Sequence, residues 1–261
     1  LAQRRLTAVW QGWQRRFSFD DPGVAGTLDG LRSIRSGQRV QVQPYAMAGA
    51  EQLEETSPAT TNTLHGLGLD LDALITPSIK LTVTINPDFA QVEADKAELN
   101  LSHHSLYLEE KRLFFIEGKD FFSFATSEAN QPFYSRRIGL NDDGDPQPIL
   151  GGVRLLGRTG KTNIGLLTAQ MSDSPWSFDR TQNASVVRIK HNVLKRSAVG
   201  ALATAWTKGQ DVDGVAGLDL RLRTTEFARN KTLVFTAAGA VGWSDLDGQK
   251  GETWRLAMNW P

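Results

Sequence analysis

A strict two-residue alternation constrains this chain more than any other feature. In Ile79-Lys80-Leu81-Thr82-Val83-Thr84-Ile85-Asn86 the apolar residues 79, 81, 83 and 85 share one face and the polar residues 80, 82, 84 and 86 the other. Successive side chains of a strand point to opposite sides, so this pattern fits a pleated strand and no helix. Just upstream, Leu67, Leu69 and Leu71 alternate with Gly68, Asp70 and Asp72, and Thr76-Pro77-Ser78 offers a turn joining the two into a hairpin. Further on, Leu218, Leu220 and Leu222 alternate with Asp219, Arg221 and Arg223. A strand face made of Asp and Arg needs water or polar partners, because an unpaired buried charge is prohibitively unfavourable.

Weaker alternation runs through 39–48, 149–158, 163–171, 184–190, 197–206, 232–243 and 253–260. The total is about a dozen strands, most near the 9–11 residues with which a tilted strand crosses a bilayer. The intervening segments alternate in length. Short turns at 158–161, 191–196 and 226–231 interleave with longer polar stretches at 172–183, 208–214 and 244–251. Tight turns at one rim and longer loops at the other characterise outer-membrane barrels, whereas a Greek-key sandwich has no reason to alternate so. Strand glycines such as Gly151, Gly152, Gly165, Gly200, Gly217, Gly239 and Gly242 permit the bends of a curved sheet. Trp10, Trp13, Trp206, Trp243, Trp254 and Trp260 fall in or near strands, and an interfacial girdle and ordinary strand packing are both open for them.

Composition narrows the classes. Lys plus Arg and Asp plus Glu number 29 each, so no basic surplus exists to displace counterions from nucleic acid. With no cysteine there is no disulfide, thiolate nucleophile or Cys-ligated metal. Mean hydropathy is −0.32 and no apolar run approaches the length of a membrane helix. Barrel strands alternate lipid-facing and lumen-facing residues, so ordinary hydropathy is compatible with them. The chain opens on Leu1 without a charged-then-apolar leader, and its last residues read as a strand still in progress. We read it as a fragment cut at both ends, with any export signal upstream or removed.

Between 87 and 132 the alternation fades and charged and aromatic residues crowd together. A structureless loop of that length is suspect in a compact domain. The segment is expected to fold inward or cap the sheet as a plug or lumen element, with one strand and a short helix around 94–101. Its charged cluster, Glu110, Lys111, Arg112, Glu117, Lys119 and Asp120, joined by Arg136 and Arg137, is the candidate functional site. It admits two readings, a polar network that gates or binds a solute and a structural plug pinned by ion pairs. We adopt the structural one, since buried ionic networks hold elements in place without chemistry.

Other groupings carry less. Asp88, Glu93 and Asp95, or Asp142, Asp143 and Asp145, offer oxygens for a hard cation but lack EF-hand spacing, and solvated turns explain them. Nothing fixes the separation of Glu93 and Glu117 at the distance glycoside hydrolysis requires. His103 and His104, adjacent on an extended chain, point apart, so a shared metal is not expected, and neither are His65 and His191 read as ligands. Gly157-Arg158-Thr159-Gly160-Lys161-Thr162 has Leu155 where a phosphate loop needs glycine, and a strand follows it, so we read a hairpin turn. No catalytic motif, metal site or cofactor is expected.

Three blocks, 85–95 (Ile-Asn-Pro-Asp-Phe-Ala-Gln-Val-Glu-Ala-Asp), 109–118 (Glu-Glu-Lys-Arg-Leu-Phe-Phe-Ile-Glu-Gly) and 133–139 (Phe-Tyr-Ser-Arg-Arg-Ile-Gly), occur in that order. Together they resemble a family of uncharacterised bacterial proteins, a domain of unknown function in which a family-9-like carbohydrate-binding module precedes a predicted outer-membrane barrel. The likeness continues more loosely through 151–155 to the C-terminus. Leu108-Glu109 stands where the family pattern has Phe-Pro, and Leu113 replaces a proline. The carbohydrate-binding module is absent from this sequence, so no sugar-binding role passes to its residues.

The expectation is therefore an all-β, antiparallel up-and-down transmembrane β-barrel, partial, in a single domain over 1–261, with 87–132 as plug or lumen insertion. The resemblance implies a bacterial outer-membrane location and a channel, transport or surface-assembly role, with outer-membrane lipid as partner and carbohydrate through the missing module. A soluble secreted β-domain accessory to a glycan-active hydrolase is the alternative.

Overall fold

A computed structural model describes residues 30, 39–53, 60–87, 110–126, 131–141, 144, 146–174, 181–194, 196–227, 231–245 and 248–260. The chain divides into two compact units, Leu1–Gly37 and Gln38–Pro261, and every described strand belongs to the second.

The alternating segments form ten strands: β1 (Val40–Leu53), β2 (Thr60–Thr76), β3 (Ile79–Ile85), β4 (Ile149–Thr159), β5 (Thr162–Met171), β6 (Gln182–Leu194), β7 (Ser197–Lys208), β8 (Asp211–Phe227), β9 (Lys231–Ser244) and β10 (Lys250–Asn259). They make one sheet in sequence order, every neighbouring pair antiparallel. The fold is thus all-β, a single up-and-down meander. Among the described residues β1 and β10 are its two edges, and the sheet does not close into a barrel.

One rim carries the turns Pro77–Ser78 and Gly160–Lys161, and there β6 is followed closely in sequence by β7 and β8 by β9. The segment 157–162 is the hairpin turn expected, with Thr159 opposite Thr162. The other rim carries the longer connections at 54–59, 86–148, 172–181 and 245–249. One expected long loop is not there. Residues 208–214 contain only the two-residue turn Gly209–Gln210, with Gly209 at φ 65°, and β8 already begins at Asp211. Its polar residues belong to the strand, where Asp213 lies opposite Trp206 on the same face as Asp219.

The register sorts the two faces of the sheet. Following the pairings, Asp72, Thr82, Arg154, Leu167, Val186 and Thr204 lie side by side on one face. That face is covered. Residues 110–126 and 131–140 lie over it, with helix α1 (Leu113–Ile116), 3-10 turns at Lys119–Phe122 and Ser135–Arg137, and no strand among the described residues of the expected insertion. The expected helix near 94–101 lies outside the described residues. The core forms here: Phe115, Phe122, Phe124 and Ile138 pack with Leu156, Leu167, Met171, Val186, Leu202 and Ala240 of the sheet.

Glycines of the covered face act as sockets. A Cβ on Gly152 would lie 2.9 Å from Phe114 Cζ, one on Gly165 3.0 Å from Phe122 Cε1, and one on Gly217 2.8 Å from Phe124 Cζ. Three rings of one segment thus seat on three different strands. The opposite face is bare, and it is apolar. Leu67, Leu218, Trp254 and Leu256 are 68%, 66%, 75% and 66% exposed, and Val40, Val42, Leu166, Val187, Ile189, Val199, Val241 and Met258 extend the exposed band from edge to edge.

Candidate functional site: a segment pinned by arginines

Arg154 in β4 and Arg188 in β6 are among the most deeply buried side chains of the described residues, each 1% exposed. Each stands between two outward apolar neighbours, Val153 and Leu155 or Val187 and Ile189. A guanidinium in this position must find acceptors on the covered face. Arg154 donates to the carbonyl oxygens of Phe114 and, at 3.0 Å, Glu117, to Thr82 Oγ1 at 3.2 Å and to the Glu117 carboxylate. Arg188 donates from Nε to the carbonyl of Ser123 at 3.1 Å and grips both oxygens of Asp219 at 2.6 and 2.8 Å. Arg255 in β10 donates to the carbonyl of Thr126 at 2.6 Å. Three arginines on three strands therefore hold successive carbonyls of the covering segment between Phe114 and Thr126.

The expected charged cluster separates into two networks. In the first, Glu117 bridges Lys80 Nζ, at 2.7 Å, and Arg154. Lys80 also contacts Asp72 at 3.2 Å, Thr82 donates to Asp72 at 2.6 Å, and Thr84 donates to Asp70 at 2.6 Å. The Asp face read from β2 has found its partners on β3. Burial pushes the Glu117 carboxyl up, but the Lys80 hydrogen bond and the charges of Arg154 and Lys80 outweigh it and hold the group below the ordinary glutamate range. That is opposite to the raised value a general acid needs. Its supposed companion Glu93 lies outside the described residues.

In the second network Glu110 and Arg112 pair within the covering segment, Nε and Nη2 meeting the two carboxylate oxygens at 2.8 Å each. Ser135 Oγ donates to Glu110 at 2.7 Å, and Arg112 donates to the carbonyls of Ser135 at 2.8 Å and Ile138 at 2.6 Å. Burial pushes Glu110 up, and Arg112 and Ser135 more than compensate, so its carboxyl also sits below the usual range. This clasp ties the 110–118 block to the 133–139 block. Arg137 lies over the Trp206 ring, 5.5 Å from its centroid, and Trp206 donates to Gln182 at 3.1 Å. Lys111 and Arg136 are half-buried, whereas Lys119 and Asp120 face solvent and join neither network.

Asp88, Asp95, Asp142, Asp143, Asp145, His103 and His104 lie outside the described residues. Among those described, no group of three or more His, Asp or Glu side chains is placed to hold a metal ion. Sequence reasoning missed Arg154, Arg188 and Arg255 as site residues. The signal was a lone arginine set between apolar residues of one strand.

Fold and site define a class: an antiparallel meander sheet, apolar on its bare face, whose other face carries buried charges beside an apolar core and is covered by an arginine-pinned segment. Residues 36–153 match the model of a domain of unknown function, DUF5916. The match runs from β1 through the covering segment into β4 and includes all three sequence blocks. No curated protein and no solved structure matches the chain.

Proposed function

We propose that residues 38–261 form part of the wall of a bacterial outer-membrane β-barrel, with the 110–140 segment lying against its lumen side as a plug. The observation that carries this reading is the apolar character of the uncovered face, while charged residues share the covered face with the core. In water a sheet covered on one face buries its apolar side and exposes its polar one. Here Asp72, Lys80, Arg154, Arg188 and Asp219 lie on the covered side, while an apolar band from Val40 to Met258 is bare. A patch of that extent on a water-soluble monomer is rare, and lipid accounts for it directly.

Two details agree. Towards the long-loop rim the bare face turns polar: Asn183 bonds Thr168 and Gln170 at 3.0 and 3.1 Å, and Ser185 joins them. Trp243 lies in the same rung of the sheet, through Ser185, Ala205 and Gly214, where an interfacial aromatic belongs. In a bilayer the free N–H and C=O groups of β1 and β10 require partners, so on this reading both edges pair with further strands. The biological role is then a channel, transporter or surface-assembly component that the plug keeps closed. A link to carbohydrate rests on the resemblance of the three sequence blocks alone.

Membrane fractionation and heat-modifiability of the protein produced with its native flanking sequence test the reading. Recovery in the outer membrane with a gel shift on heating is expected. Recovery as a soluble protein with no shift overturns it and favours the secreted accessory domain.

A further inference from the structure

We infer that the covered face holds a binding site for a small anionic solute, between residues 123–126 and strands β6 to β10. A cavity of about 290 Å³ opens there, lined by Ser123, Thr126, Lys190, Asp219, Arg221 and Arg255, among others. At about 30 Å³ per water it has room for roughly ten, the volume of a small organic acid or a phosphorylated sugar fragment and not of a polymer.

Register explains the shape. Lys190, Gly200, Asp219, Ala238 and Arg255 form one rung across five strands, so two small residues separate three charged ones and leave the hollow between them. Arg221 enters from the adjacent rung, opposite Ala198 and Thr236. The charges do not balance. Asp219 is the one carboxylate of the lining, and both its oxygens are already held by Arg188 from below. Arg255 spends one N–H on the Thr126 carbonyl. Among the described residues no carboxylate pairs with Lys190, Arg221 or Arg255. Cationic donors converging on a partly enclosed space are the recognition chemistry of carboxylate and phosphate.

The site is defined by the covered face and stands independently of the membrane reading. The test is equilibrium dialysis of the purified protein, in detergent or in buffer, against radiolabelled inorganic phosphate and against succinate. Saturable binding of at least one is expected. Loss of a charge-assisted contact makes Lys190→Gln and Arg221→Gln each weaken it about tenfold or more. Lys231→Gln, which removes an exposed cation at the tight-turn rim, leaves it unchanged. Selective binding of phosphate or of succinate names the ligand class. Absence of saturable binding of both, or equal binding by Lys190→Gln and Arg221→Gln proteins that retain the wild-type circular dichroism spectrum, overturns the proposal. If one variant does not fold, the other carries the same comparison.

Discussion

Arg188 and Asp219 meet as a bidentate pair across the strand that separates them, and Gly200 is the residue in between. Lys190 lies opposite Gly200 and Gly200 opposite Asp219, and any Cβ on Gly200 would collide with the guanidinium and the carboxylate alike. The Arg188 side chain is 1% exposed and that of Asp219 9%, so the guanidinium has no access to water as an alternative partner. The pair also orients Arg188 so that its Nε reaches the Ser123 carbonyl, which links an ion pair within the sheet to attachment of the covering segment.

Asp219→Asn should therefore destabilise the protein by about 3–5 kcal/mol, since it leaves a buried guanidinium without its counter-charge. Replacing both partners, with Arg188→Met and Asp219→Leu, should recover much of that loss, because a buried pair exchanged for apolar volume is often near neutral. A double-mutant cycle on denaturant unfolding reads the coupling directly. Strict additivity of the two single changes would show that the pair is not coupled in the folded state.

The glycine sockets separate from glycines that serve only the backbone. Gly217→Ala places a methyl 2.8 Å from Phe124 Cζ and from the Ala240 Cβ, and 2.9 Å from the Gly239 carbonyl. Overpacking of this kind costs about 1–3 kcal/mol. Gly251→Ala, in β10 with nothing within 4 Å of the new carbon, should be neutral or stabilising by roughly 0.5 kcal/mol. Thermal unfolding of the two proteins side by side decides this, and equal losses would mean that strand propensity, not the rings of Phe114, Phe122 and Phe124, explains the glycines.

How legible all this was differs between elements for physical reasons. In β2 and β3 the two faces differ sharply in polarity, so period, hairpin turn and the need of Asp70 and Asp72 for partners could be read directly. Residues 208–214 misled because Gly209, Gln210, Asp211, Asp213 and Gly214 have loop composition. Pairing with Trp206 on β7 and Ser244 on β9 nevertheless places Asp213 within a strand, and local composition does not register such long-range pairing. The covering segment was legible as an interruption but not in its seating. Its sockets are single glycines on β4, β5 and β8, far apart in sequence, and its anchors are single arginines on β4, β6 and β10. Local pattern registers none of these pairings, since each is one residue long on either side.

Acid should loosen the covering segment in a defined direction. Glu110 and Glu117 both have folded-state values held below the ordinary one, so each contributes stability that is present above the unfolded glutamate value of about 4.3 and is lost as pH falls through the lower folded value. Hydrogen exchange over 111–126 should stay constant from about pH 7 to about pH 5 after correction for intrinsic rates, and accelerate only below about pH 4. Glu110→Gln should shift part of that loss to neutral pH. Loosening between about pH 5 and 7 would point instead to a titrating histidine or to a carboxylate with a raised value.

The bare face gives the sharpest separation between bilayer and water. Leu218 is 66% exposed at the middle of β8, flanked on neighbouring strands by Ala201 and Gly239. For a soluble protein, Leu218→Arg is an ordinary surface substitution, with an effect within about 0.5 kcal/mol. On the lipid face of a barrel the same change near the midplane costs about 2–4 kcal/mol, falling towards zero near the interfaces. Thr168→Arg, in the polar cluster at the long-loop rim, is then the internal control and should cost little in either setting. Urea titrations of both variants, folded into vesicles of a short-chain phosphatidylcholine, measure the difference. A large penalty at Leu218 with a small one at Thr168 locates the hydrocarbon level along the strand. Equal, small penalties at both positions mean that the apolar band faces another protein surface or water, and the wall reading then fails whatever the protein's location in the cell.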